Sequence, residues 1–292
     1  MTALWILFSA FCGAGILACI QCLGKTLAFV DIAFLEFAFV LAVTVLVMFA
    51  RRTPFRTPVW RHHLLRAALG IGVVFTQIIT ATNMPVASAQ TLQYTSPLFV
   101  AGFVSFSALR NHEHVDWRIL AAILTAFAGI CIMFHPSART FSSAYVPIGL
   151  LCGLFTAASI LMLKELASLG EPVARTVFYF NLHGTIFFGV LEFLYGGLSV
   201  QLLLQTPLIL MLLLLTCAQF ARTCGWGKGN TLLGSVFAFS GVVFAGLIDG
   251  LVFGEVPGTA SLVGMTVIVV SAIVCFTLTA KSSKKTLSER SR

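Results

Sequence analysis

The chain has 292 residues, 59% of them hydrophobic and 10% charged, with a net charge of +8 and a mean hydropathy of +1.00. Soluble domains carry about 25% charged residues, so this chain lacks the polar groups to clothe a water-facing surface, and its main solvent is lipid. A soluble globular domain is excluded, and the basic balance speaks of topology and anionic lipid rather than nucleic acid.

Crossing a bilayer takes about 20 apolar residues. Cutting at charge clusters, prolines and glycines predicts ten spans, at 3–24, 31–50, 63–82, 86–109, 117–135, 145–166, 174–195, 205–224, 231–252 and 259–280. Nothing left over is large enough for a soluble domain. The first span follows only Met1 to Leu4, with no basic segment, and reads as a retained helix. It carries Cys12, Cys19 and Cys22; like the other five cysteines these lie in apolar runs, which suits small packing residues better than a metal or redox site. The second span has Asp31 at its outer edge and Glu36 some five residues in. A carboxylate at the centre of a span costs about 2.5–3.5 kcal/mol on insertion scales. One held there, shielded from water, suits a group that exchanges protons.

The fourth span opens with Gln90, Gln93, Tyr94 and Pro97, spaced i, i+3, i+4, i+7 and so on one helix face. Amides inside hydrocarbon must face protein or a wet cavity, and Pro97 cannot donate to the carbonyl of Gln93 one turn earlier. The stripe therefore suits either a solute site or hydrogen-bonding glue between helices. In the seventh span His183 follows Tyr179 by four residues and shares its face, whereas Glu192 lies on the opposite side, near the outer interface. The ninth span holds Phe239, three spaced glycines (Gly241, Gly246 and Gly250) suited to bending, and Asp249 near its outer end, placed as a gate. His62, His63, His112 and His114 fall beside arginines and acids in loops and read as solvated, not as metal ligands.

With the N-terminus in the cytoplasm, 16 of the 18 Lys and Arg fall on cytoplasmic segments and adjoining helix ends, against Lys25 and Arg139 outside. That bias places both termini in the cytoplasm of an inner-membrane protein. Two offsets reveal a repeat: 143 lays residues 7–25 on 150–168, and 145 lays 96–110 on 241–255. Because five is odd, the second copy enters from the other side. The predicted fold class is an all-α membrane protein of ten transmembrane helices in two inverted five-helix repeats, residues 1–138 and 139–280, followed by a basic tail, 281–292.

The stretch ATNMPVASAQTLQYTSPLFVAGF and the closing Gly254-Glu255-Val256-Pro257 of the second copy resemble the drug/metabolite transporter superfamily, in its ten-helix EamA-type branch. The resemblance spans the chain in length and helix count and implies a carrier. Three positions depart from that pattern. Arg110 replaces the turn glutamate of the first repeat, Phe239 and Val242 replace the Tyr and Pro of the second, and Glu36 stands where many relatives carry arginine.

No phosphate-binding loop, H-E-x-x-H or G-x-S-x-G motif is present, and the acidic groups are too scattered for an intramembrane enzyme. The expectation is a secondary carrier without cofactor or metal, monomer or homodimer in the lipid bilayer. It would move a small cationic, zwitterionic or aromatic solute, most simply outward, by proton antiport or exchange. Glu36 would couple protons; Glu36, Gln90, Gln93, Tyr94, Tyr179, His183 and Phe239 would bind solute; Pro97, Gly241, Gly246 and Asp249 would bend or gate. The rivals are an importer of the same solutes and a non-transporting assembly or sensor protein.

Overall fold

The structure, a computed structural model, describes residues 2–23, 29–84, 86–112, 115–134, 144–195, 205–254 and 258–290. Twelve α-helices occupy them: α1 Thr2–Leu23, α2 Phe29–Ala50, α3 Trp60–Asn83, α4 Val86–Gln93, α5 Ser96–Arg110, α6 Trp117–Phe134, α7 Val146–Ser168, α8 Val173–Tyr195, α9 Thr206–Lys228, α10 Thr231–Ala238, α11 Ser240–Ile248 and α12 Thr259–Arg290. A π-helix, Asp249–Phe253, continues α11. Ten segments among the described residues are long and apolar enough to cross a bilayer, and they coincide with the ten spans predicted. The fourth is built from α4 and α5, the ninth from α10, α11 and the π-helix.

Residues 281–290, within the basic tail, are helical and continue α12 to Arg290. The stretch KSSKKTLSER contains no glycine or proline and has enough good helix formers to carry the helix on.

The helices sort into two compact units, each drawing on both halves of the sequence: residues 1–71 with 159–228, and 72–158 with 229–292. Two of the three boundaries fall inside α3 and α7, and the third follows α9. In the first unit α1 packs along α9 and α2 along α8, with α9 also touching α2 and α8. Cys19, Leu23, Val40, Val177, Leu208, Met211, Leu212 and Leu215 form its apolar core. In the second, α12 packs on α6 and α10 on α5. Where α6 crosses α12, Gly129 and Gly264 meet, and a Cβ on either would stand 2.9 or 2.6 Å from the other's carbonyl oxygen. With no hydrophobic drive between helices in lipid, such close backbone approach is what holds a crossing together.

Two spans are interrupted at matching places. The fourth breaks at Tyr94–Thr95, where Pro97 enters the first turn of α5 and the Thr95 hydroxyl donates to the Leu92 carbonyl (2.5 Å). The ninth breaks at Phe239, where the Ser240 hydroxyl donates to the Phe237 carbonyl (2.6 Å) and the Phe239 and Val242 amides reach back only three residues. No proline is present in α10 or α11; there the tight turn and the back-bonding hydroxyl make the bend. Thr95 and Ser240 are separated by 145 residues, the offset read from the sequence.

Candidate functional site

The residues singled out in the sequence fall into one group in each unit. In the second unit, α4 turns Gln90, Gln93 and Tyr94 to a half-buried position while Pro97 is buried. Gln77, on α3, donates its amide to Gln93 Oε1 across 3.5 Å, a long contact that adds a third amide to the stripe. The Tyr94 ring lies between Phe134 and Phe239, with centroids 6.4 Å away in each case, and Phe127 backs Phe239 at 6.5 Å. Phe239 is fully buried. It supports Tyr94 from behind rather than presenting a ring face of its own. Gly246 is buried beneath Met265, whose methyl fills the place a Cβ would take, and Gly241 is half-buried beside the break. Asp249 opens the π-helix; its side chain, like Glu255-Val256-Pro257 of the closing turn, lies outside the described residues.

The first unit brings charges together inside the membrane. Glu36 is half-buried on α2, about 10 Å along the helix from Phe29 at 1.5 Å per residue. Its carboxylate interacts electrostatically with Arg222 of α9, and Arg222 in turn with Arg66 of α3. Arg66 and Arg222 each sit six residues inside a helix end, about 9 Å deep. In the sequence both counted only towards the cytoplasmic charge bias. Arg66 is 3% exposed, its guanidinium stacks 4.0 Å over the Phe180 ring, and its Nε and Nη1 are buried with no hydrogen-bond partner. Gly70 makes that stack possible, since a Cβ there would collide with the Phe180 ring. Arg222, by contrast, is accessible.

One helical turn nearer the end of α3, the same face is locked to a loop. Gly170, at φ 78°, lets the chain reverse after α7, and the Glu171 amide closes back on the Leu166 carbonyl. Glu171 then accepts four hydrogen bonds, from Arg175 Nε (2.6 Å) and Nη2 (3.0 Å), Thr57 Oγ1 (2.6 Å) and His63 Nε2 (3.2 Å). An ionised carboxylate only accepts, so His63 carries its proton on Nε2. Arg175 also donates to the carbonyls of Arg56 (2.8 Å) and Pro54 (3.3 Å). His63 is thus not the solvated loop residue predicted. It is 1% exposed, because α3 starts at Trp60 and carries it into the helix, against Glu171. Tyr179 stacks on His63 (4.7 Å) and gives its hydroxyl to the Phe55 carbonyl (2.9 Å). His183 is half-buried, with Nδ1 2.6 Å from the Tyr179 carbonyl. Beside this clamp lies a cavity of about 250 Å³, lined in part by Glu171, Thr176, Thr223 and Lys228.

Comparison with known proteins shows what this architecture is similar to. Residues 1–135 match the model of the EamA-like transporter family. The pseudopaline exporter CntI of Pseudomonas aeruginosa, in each of two strains, is 24% identical over 212 residues, covering 72% of either chain. A solved crystal structure superposes with a TM-score of 0.78 at 18% identity, covering 94% of this chain and 97% of the other, which supports the fold alone. With ten apolar helices and a transporter-family match over residues 1–135, the chain is a multi-pass membrane transporter. Both the family and the curated relative are transporters rather than enzymes.

Arg66 and Arg222 are residues that sequence reasoning passed over, although the predicted third and eighth spans, 63–82 and 205–224, already enclosed them. An arginine inside a predicted span is the signal that would have found them.

Proposed function

We propose that this chain is an EamA-like transporter, a secondary exporter of the inner membrane, both termini cytoplasmic, built as two inverted five-helix repeats of residues 1–138 and 139–280. It moves a small zwitterionic or aromatic metabolite by proton antiport or exchange. The observation that carries the reading is the pair of helix breaks, at Tyr94–Thr95 and at Phe239, 145 residues apart counted from Tyr94 to Phe239. Interrupted spans at corresponding places in two repeats are where carriers bind solute and bend. Spans that such a repeat would equate also pack together: the second with the seventh through α2 and α8, the fourth with the ninth through α5 and α10, and the fifth with the tenth through α6 and α12. Export is supported by the relative that exports pseudopaline.

In this reading Gln90, Gln93 and Tyr94 orient the solute, with Phe239 stiffening Tyr94. Glu36 takes up and releases the proton, and His183 and Tyr179 contribute from α8. Pro97, Gly241 and Gly246 are the bending points and Asp249 the outer gate. The protein works as a monomer or homodimer and needs no cofactor.

Counterflow into proteoliposomes, with a panel of aromatic and zwitterionic amino acids and small amines, tests this. Wild-type protein should accumulate at least one labelled solute, and Gln93→Leu and Tyr94→Ala should reduce uptake while remaining monodisperse after extraction. Loss of assembly in both variants, with unchanged uptake per folded molecule, would mean that the stripe only glues helices together.

A further inference from the structure

The cavity beside the Glu171 clamp is walled by the ends of three spans of one unit. Leu163 and Ala167 come from the end of α7, Thr176 from the first turn of α8, and Thr223 and Lys228 from the end of α9, with Glu171 in the turn between α7 and α8. Gly227 lets α9 close on α7, since a Cβ there would stand 3.0 Å from that of Ala167. All three helices are long and apolar enough to cross a bilayer, and all three have an end at the cavity. Thr176 lies about 4.5 Å and Thr223 about 7.5 Å inside those ends, at 1.5 Å per residue. The cavity is thus at the level of lipid headgroups, whichever way the chain is inserted. Its volume of about 250 Å³ falls below the roughly 300–1,000 Å³ of sites for drug-sized ligands, and suits one compact polar group.

The polar groups on its wall are donors. Thr176 is 2% exposed, and its hydroxyl donates to no described residue. Thr223, by contrast, gives its hydroxyl to the Gln219 carbonyl (2.8 Å). Lys228 is exposed and stands in no ion pair among the described residues, those being Glu171 with His63 and with Arg175. The carbonyls of Glu165, Leu166 and Ala167 at the end of α7 are met by the amides of Leu169, Glu171 and Gly170. The Thr176 amide bonds the Pro172 carbonyl, and the amides of the turn before it have no partner within α8, whose start is the positive end of its dipole. Glu171 does not reverse this balance. Its carboxylate already accepts four hydrogen bonds, about its full capacity, and Arg175 neutralises it. A cation would find no free acceptor there and would meet Lys228, whereas a monoanion neutralises the lysine. We propose that the cavity holds the phosphate of an anionic phospholipid headgroup, with Lys228 and the Thr176 hydroxyl on its oxygens and the apolar wall of Leu163 and Ala167 towards its acyl chains. Basic pockets between helices at the membrane surface bind lipid in this way.

The test is lipid retention by the purified full-length protein in detergent, read by native mass spectrometry and by thermal melting. Dioleoyl phosphatidylglycerol, an anion without an amine, is compared with dioleoyl phosphatidylcholine, and inorganic phosphate and sn-glycerol 3-phosphate serve as free anions. Phosphatidylglycerol should be retained and should raise the melting temperature, and phosphatidylcholine should be held at least about tenfold more weakly, the scale of one hydrogen bond to a charged group. Lys228→Gln should weaken retention of phosphatidylglycerol by at least about tenfold, and Thr176→Val, which keeps the shape and removes the hydroxyl, by about threefold to tenfold. Arg118→Gln removes an exposed cation from the start of α6, outside the cavity, and should leave retention unchanged. Should Thr176→Val fail to fold, the exposed Lys228 and the order of the two lipids still decide. Equal retention of the two lipids, retention unaltered by Lys228→Gln, or an equal loss in Arg118→Gln overturns the proposal, the last by showing only diffuse attraction to a basic surface. Displacement of phosphatidylglycerol by inorganic phosphate or glycerol phosphate at equal concentration assigns the cavity to a soluble anion and overturns it as well.

Discussion

Replacing Glu171 by glutamine should loosen the contact between the 51–59 loop and the start of α8. The Glu171 side chain is 3% exposed, and its carboxylate accepts from Arg175 twice, from Thr57 and from His63. Glutamine removes the charge and turns one acceptor into a donor, so at least one contact becomes donor against donor. Breaking a buried ion pair costs about 3–5 kcal/mol. Here Arg175 keeps the Arg56 and Pro54 carbonyls, and the loss should be nearer 2–3 kcal/mol. Thr57→Ala removes one hydroxyl donor from the same carboxylate and should cost about 1–2 kcal/mol. Thermal melting in detergent should therefore place Glu171→Gln clearly below Thr57→Ala, and Thr57→Ala below wild type. Wild-type melting of Glu171→Gln would refute the idea that this carboxylate holds the loop.

The same cluster sets a pH signature. Burial by itself would raise the Glu171 carboxyl, but the hydrogen bonds from Arg175, Thr57 and His63 outweigh it and hold the group below its ordinary value. A carboxyl depressed in the folded state contributes fully above its unfolded value, about 4.3, and loses that contribution as pH falls through the lower folded value. Wild-type melting should drop below about pH 4, and Glu171→Gln should flatten that part of the profile. An unchanged acid limb in the variant would count against the assignment.

Glu36→Gln keeps the shape of a protonated carboxyl and should leave slow exchange that no longer responds to a proton gradient; wild-type pH dependence in this variant would remove Glu36 from coupling. Gly70→Ala drives a methyl into the Phe180 ring and should cost about 1–3 kcal/mol, read as a lower melting temperature; an unchanged melting temperature would refute the close fit of Gly70 on Phe180. Ser199, outside the described residues, should react as Ser199→Cys with an impermeant maleimide added from the periplasm; reaction only after the inner face is opened would overturn the ten-span orientation.

The spans were legible because one property, apolar length, decides them, and the breaks of α4–α5 and α10–α11 were legible only by halves. Pro97 announces the first break. The second carries no proline, and what marks it is Ser240, whose hydroxyl replaces a helical hydrogen bond much as Thr95 does in the first. A serine in an apolar span has several uses, so only the offset from Thr95 singles this one out. Phe239 aligns with Tyr94 under that offset and was expected to face solute, yet its side chain is buried. Equivalent positions in a repeat share backbone geometry, not exposure, because exposure depends on which neighbours each copy meets.

The charged residues show the opposite limit. Counting Arg66, Arg175 and Arg222 as cytoplasmic gave a consistent topology, because each lies within about two helical turns of the end that the charge bias assigns to that side. The count cannot tell an arginine that reaches outward to lipid phosphate from one that turns inward, since both obey the same bias. Only the packing partner separates them. Phe180 covers Arg66 and the Glu171 carboxylate holds Arg175, while Arg222 shares its field with Glu36 and Arg66. Glu36, read alone, suggested a site for a cation. In the folded unit Glu36 shares its electrostatic field with Arg222, so the carboxylate does not act alone. A single intramembrane charge therefore names a site, but the sign of its ligand depends on the charges brought to it from the other helices.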